Sequence, residues 1–185
     1  DVTTSGKQGQ PQEGTPKFTQ GDEVAPITIN AEQPAKFVVN GQPVEDKEIP
    51  ATKDGKEIGK YKIDPLTGVV TFTTNKDFTG TPDPAKVTAK DTNGTKVETT
   101  YTPTVTPVTP TSEPKETTGI QGATQEGTPT FTQGDETAPI TITPEQPAQF
   151  VVDGKPVTDT TIPATKDGKQ IGTYTIDPTT GKVTF

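Results

Sequence analysis

The side chains able to do chemistry in this sequence are of few kinds. It holds 25 acidic and 17 basic residues, three Tyr, and no His, Cys, Met or Trp. Without His and Cys there is no imidazole base, no Ser-His-Asp triad, no thiolate nucleophile and no zinc set of nitrogen and sulfur ligands. Paired carboxylates can hydrolyse glycosides, and Asp22-Glu23, Glu45-Asp46 and Asp83 are available for that work. Each of these acids lies in a turn-like stretch or at an outward strand position. Three Tyr and no Trp make a poor lining for a sugar cleft. Solvated surface charge accounts for the acids, so no catalytic residue and no cofactor is assigned.

Calcium chemistry and covalent cross-linking are the remaining options. Asp91-Thr92-Asn93-Gly94 offers Asp91 and Asn93 as oxygen ligands, and Gly21-Asp22-Glu23 offers Asp22 and Glu23, repeated at Gly134 to Glu136. Calcium takes roughly six to eight oxygens. Neither spacing matches an EF-hand loop, and a hairpin turn accounts for the first in full. An isopeptide bond from Lys to Asn or Asp would suit a domain under tension. Lys17, Lys36, Lys47, Lys60 and Lys62, and also Asn30 and Asn40, are replaced in the second copy of the sequence described below. Lys53 and Lys56 persist as Lys166 and Lys169, within a turn-like Thr-Lys-Asp-Gly-Lys. The segments Gly6 to Gly9 and Gly119 to Gly122 lack the helix a phosphate loop needs.

The elements that would position such groups are strands. Only 25% of the 185 residues are hydrophobic, and the net charge is -8. Low apolar content with net charge fits disorder. Here, however, the charge is mixed in sign, and Val, Ile, Phe and Tyr gather in short alternating runs. Forty residues are Thr and two, Ser5 and Ser112, are Ser. A flexible linker uses both; β-branched Thr suits the half-exposed face of a strand. The 20 Pro and 18 Gly read as turns and strand ends. The acidic balance disfavours nucleic acid, which needs a basic face. No run resembles a signal peptide or a membrane span, and the lack of Cys excludes a disulfide scaffold.

The organisation is a repeat. Glu13 to Phe72 aligns without a gap on Glu126 to Phe185, with 45 of 60 positions identical and a period of 113 residues. The leader starting at Thr3 also falls on the one starting at Glu116. A period of this length is a domain. Residues 1–112 are read as a complete repeat with a Pro/Thr-rich junction over 102–118, and 113–185 as a second copy lacking the counterparts of Thr73 to Val108. A sandwich ending at Phe185 leaves strand edges unpaired, so the repeat is expected to continue. Differences fall on alternate positions: Lys60 and Lys62 become Thr173 and Thr175, whereas Tyr61 and Ile63 stay as Tyr174 and Ile176. That period of two marks a strand with one buried face, with Tyr61, Ile63, Val70 and Phe72 inward.

Hairpins are predicted at Tyr61 to Phe72, at Phe37 to Val44 around Asn40-Gly41, and at Lys86 to Val105 around Asn93-Gly94. Further strands are predicted at Pro16 to Gln20, Ala25 to Ile29 and Glu48 to Ala51. Many short strands separated by turn residues give an all-β reading: immunoglobulin-like antiparallel β-sandwich modules in tandem, in an extended, rod-like arrangement. Pro103, Pro107 and Pro110 are expected to keep Thr102 to Thr111 out of a central strand. That segment would begin as a last edge strand and continue as a stiff linker, with the second unit beginning between Thr111 and Gly119.

The Thr-Pro junction, the opening "TTGIQG" to "GTPTFT", Val70 to Thr73, Phe78 to Thr81 and Val87 to Thr95 together resemble the CshA-type fibril repeats of streptococcal cell-wall-anchored adhesins. The resemblance covers essentially the whole chain. It implies a fibril stalk outside the cell that projects a distal binding region, with anchoring through parts of the protein outside this sequence. The partners it implies are neighbouring repeats of the same chain, and a host surface or other bacterial cells for the parent protein. It carries over no binding residues. A second reading has each repeat bind a host protein, a glycan or a neighbouring cell, through loops at Glu45 to Lys56 and around Asp83.

Overall fold

A computed structural model describes residues 1–185. The chain divides into two compact units, Asp1–Val108 and Thr109–Phe185. Every regular element is a strand. Unit 1 contains β1 (Val2–Lys7), β2 (Gln12–Gly14), β3 (Lys36–Val39), β4 (Gln42–Pro43), β5 (Glu48–Lys53), β6 (Lys56–Ile63), β7 (Val70–Thr74), β8 (Ala85–Lys90) and β9 (Lys96–Thr106). They form two sheets, ordered β1-β9-β8-β3-β4 and β2-β7-β6-β5. The sandwich core lies between them: Phe37, Val87, Tyr101 and Val105 from the first sheet meet Ala51, Tyr61, Ile63, Val70 and Phe72 from the second. Burying each large apolar side chain stabilises by roughly 1.5–3 kcal/mol. A small, well-filled core therefore suffices for a chain this polar.

The predicted hairpins form where turn chemistry demanded them. Ile63 faces Val70 across Asp64 to Val69, and Gly68 there takes φ 74. Asn40 and Gly41 take φ 50 and 77, the two positive values that a type I′ turn needs. The four residues expected inward, Tyr61, Ile63, Val70 and Phe72, are all buried.

Three expectations are corrected. Pro16 to Gln20 is not a strand, and Ala25 to Ile29 contributes one isolated bridge, Ile27 to Asp91. Pro16 and Pro26 lack the donors a ladder requires. The segment instead packs Phe18 and Ile29 onto the core from turns such as Ala25 N–H to Asp22 C=O. The last strand is also not an edge: β9 lies between β1 and β8, and Pro103 is fully buried within it. The β-ladder tolerates Pro103 for a geometric reason. Val105, two residues on, exchanges both backbone bonds with Gly80, away from β1. Pro103 points the same way, past the end of β8, whose pairing with β9 stops at Ala85 and Tyr101. Its missing N–H thus breaks no bond. The residues of the Thr-Pro segment outside strands are Pro107 to Pro110.

Unit 2 contains β10 (Thr111–Glu113), β11 (Glu126–Gly127), β12 (Thr130–Thr132), β13 (Phe150–Val152), β14 (Lys155–Val157), β15 (Thr161–Lys166), β16 (Lys169–Ile176) and β17 (Val183–Thr184). Its sheet β11-β17-β16-β15 repeats the order β2-β7-β6-β5. The register repeats too, with Ile162 on Tyr174 as Ile49 is on Tyr61, and a bulge after Ala164 as after Ala51. Tyr174 and Phe185 stay 39% and 37% exposed. The residues that cover Tyr61 in unit 1 follow Phe72 in the sequence and have no counterparts among the 185 residues.

Candidate functional site

A chain of partly buried polar contacts lies where the first strand of unit 1 meets the last. β1 runs parallel to β9 in register from Val2–Tyr101 to Lys7–Thr106. Alternation turns Thr4 toward the interior of the sandwich. Its hydroxyl donates to Gln12 Oε1 at 2.7 Å and lies 2.9 Å from the Tyr101 hydroxyl. Because Gln12 Oε1 can only accept, the Thr4 proton is committed to it, and Tyr101 donates to Thr4. Gln12 Nε2 completes the chain by donating to Thr104 C=O at 3.0 Å. The relay thus begins and ends on β9, passing through β1 and through β2 of the other sheet. Gln12 is 6% exposed, and burying an amide is tolerable because both its ends are bonded.

Two glycines make room for this lock. A Cβ on Gly6 would sit 2.7 Å from Gln12 Cγ, and one on Gly14 would sit 2.4 Å from the Tyr101 ring. The rim of the β1–β9 seam is fastened as well. Asp1 Oδ1 accepts from Thr100 N–H and hydroxyl at 3.1 and 2.8 Å. Thr106 donates to Gly6 C=O, and Gln8 Oε1 accepts from Val108 N–H. Part of the lock recurs in unit 2, where Thr117 donates to Gln125 Oε1 at 2.9 Å and Gly119 leaves space for Gln125. Thr4, Gly6 and Gln12 did not stand out as functional in the sequence. Their signal was the repeated leader, which keeps Thr, Gly and Gln at the same spacing in both copies.

The sequence-predicted candidates fall elsewhere. Asp91 Oδ1 accepts from Asn93 and Thr95 N–H at 2.9 and 2.8 Å, a turn-capping role. Asp22 Oδ1 accepts from Val24 N–H at 2.9 Å, and Glu23 is exposed. The bridge from Ile27 to Asp91 brings the two loops near each other, but no three acidic side chains gather as a metal-sized group. Glu45 to Lys56 is not a loop throughout, since β5 occupies Glu48–Lys53. Asp83 is a latch: it accepts from the Thr52 hydroxyl at 2.7 Å, and its C=O accepts from Tyr61 at 2.8 Å. Burial first, then the charges of Tyr101 and Asp83, push the Tyr61 phenol well above its ordinary range. Burial also raises Tyr101, against the pull of Thr4. Glu48 is held low by Lys60, and Asp64 by the N–H of Leu66. Asp177 is held low by the Thr179 hydroxyl. A general acid needs the opposite shift.

Comparison of the copies sorts the lysines. Lys36 pairs with Glu45 and Lys60 with Glu48. In unit 2 each pair is lost as a pair, to Gln149 and Thr158, and to Thr173 and Thr161. Ion pairs that come and go together are surface fittings, in line with the small contribution of exposed pairs.

The unit 1 sandwich, with its first and last strands locked side by side, is an all-β module, and the order of its second sheet recurs in unit 2. The family model described as the surface adhesin CshA repetitive domain matches residues 1–105 and 107–185. The chain belongs to that family. It is a repeat region of a surface adhesin, which places it at the cell surface; the family is one of adhesin repeats and not of enzymes. A search of curated proteins gives no match. No helix is long and apolar enough to cross a membrane.

Proposed function

We propose that these repeats are load-bearing spacers of a surface fibril, carrying a distal binding region away from the cell wall to which the parent protein is anchored. The observation that carries this reading is the parallel pairing of β1 with β9. Load along the chain pulls β1 from its N-terminal end and β9 from its C-terminal end. For adjacent parallel strands these pulls are opposite and lie along the strand axis. The strands must therefore slide past each other, and all bonds of the seam are loaded at once. An antiparallel terminal pair would open one bond at a time. The Thr4–Gln12–Tyr101 lock adds a tie to the second sheet at the loaded seam, and the strand ties at Asp1, Gln8 and Thr106 extend it.

Stretching the chain between its ends tests this. Unit 1 is expected to resist and then open in one step, releasing on the order of 350 Å of chain. Gradual lengthening at low force, with no step, would count against the load-bearing role.

A further inference from the structure

A groove beside the tip of the β8–β9 hairpin has no part in the core or the lock. Its volume is about 670 Å3, and its lining includes Glu32, Gln33, Lys36, Lys90, Asn93 and Lys96. That size suits a saccharide or another small ligand. Three lysines against one glutamate make it basic, in a chain of net charge -8.

Lys90 and Lys96 stand directly opposite each other in the β8–β9 ladder. Like charges so placed repel across the strands. Two other strand lysines are met by carboxylates, Lys86 by Glu98 and Lys60 by Glu48. Neither Lys90 nor Lys96 is among these ion pairs. The Lys53–Lys56 and Lys166–Lys169 pairs share this like-charge register, but they flank bare two-residue turns. What sets Lys90 and Lys96 apart is the groove beside them. A second observation points to a ligand. Gln33 is half-buried, and its side-chain oxygen accepts no hydrogen bond from the protein, which leaves it open to a donor.

We propose that this groove binds an acidic saccharide, a sugar bearing a carboxylate or sulfate next to free hydroxyls. The anionic group sits between the Lys90 and Lys96 ammonium groups, relieving their repulsion. A sugar hydroxyl donates to Gln33 Oε1 after a small turn of that side chain. Lys36 is already paired with Glu45 and borders the site without holding the anion. The inference goes beyond the load-bearing reading and does not rest on it, since force resistance and sugar binding are separately measurable.

The test follows amide chemical shifts of the full 185-residue chain during titration with a sulfated uronic-acid disaccharide, with inorganic sulfate and lactose as separate arms. Saturable shifts confined to Glu32–Lys36 and Lys90–Lys96 are expected with the disaccharide, and none with lactose. Lys90→Gln/Lys96→Gln should bind about tenfold more weakly while melting no lower than the parent, because repulsion is removed. Gln33→Leu should weaken the disaccharide and leave sulfate unaffected, and Lys60→Thr should bind as the parent does. The proposal is overturned by a lack of saturable shifts, by undiminished binding in the double variant, or by sulfate alone binding as tightly with the same shifts.

Discussion

Replacing Gln12 by Met keeps an unbranched side chain of similar length against Gly6 and removes both of its polar contacts. The consequence can be worked through bond by bond. Thr4 loses its acceptor at 2.7 Å, and nothing is recovered by turning its proton toward Tyr101, because that only reverses the bond Tyr101 already donates. Thr104 C=O loses the Nε2 donor at 3.0 Å at a partly buried position. Two lost hydrogen bonds, at roughly 1–1.5 kcal/mol each, amount to about 2–3 kcal/mol. For a unit of this size the melting temperature should fall on the order of 10–20 °C. Calorimetry on unit 1 reads this, and a pulling measurement should show the unit opening at lower force. Lys60→Thr, which installs the residue unit 2 already uses, serves as control and should change neither. A stability loss below about 0.5 kcal/mol, the level of an ordinary surface substitution, would falsify the claim that Gln12 locks the seam.

Gly59 takes φ 155, and a Cβ there would meet Thr73 C=O at 2.2 Å; Gly59→Ala should cost about 2–4 kcal/mol in urea unfolding, because the obstacle is backbone. Replacing Glu48 and Lys60 together by Thr should leave the melting temperature and its salt dependence unchanged, since both groups are exposed and unit 2 does without them. Alkaline pH should unfold unit 1 through its phenols: Tyr61 and Tyr101 are raised in the folded state by burial. Their contribution is therefore full below about pH 10, where an unfolded phenol ionises, and it declines as pH rises further. Phenolate absorbance from these two residues should appear together with loss of the β-sheet signal, and ionisation preceding unfolding would contradict their burial.

Much of the fold was legible because its signals are local. Asn40-Gly41 and Asp64 to Gly68 specify turns through backbone conformation, and the alternation around Tyr61 and Ile63 separates inside from outside. The comparison of the copies read the β6–β7 face correctly for the same reason. Less legible were features set by distant partners. Val2–Lys7 is a polar run with a single large apolar residue, Val2, and becomes a strand because β9 offers it a parallel edge. Pro103 looked incompatible with an interior strand, and its acceptability depends on where β8 happens to stop. Pro16 to Gln20 has the side chains of a strand but packs Phe18 without a ladder partner. The lock was hidden because Thr, Gly and Gln carry no chemical signature by themselves. Their meaning comes from a Gln buried between two sheets, a placement that only the tertiary structure supplies.

The most direct test of the load-bearing account compares two directions of pull on the same unit. In one, force is applied between the ends of unit 1, near Asp1 and Val108, which shears the β1–β9 seam. In the other, it is applied between Glu48 and Ile63, at the open end of the antiparallel β5–β6 pair, which peels that pair bond by bond. The account predicts a clearly higher opening force for the first direction, reduced by Gln12→Met, while the second direction is little changed by that substitution. Equal forces in the two directions, or a lower force end to end, would contradict it.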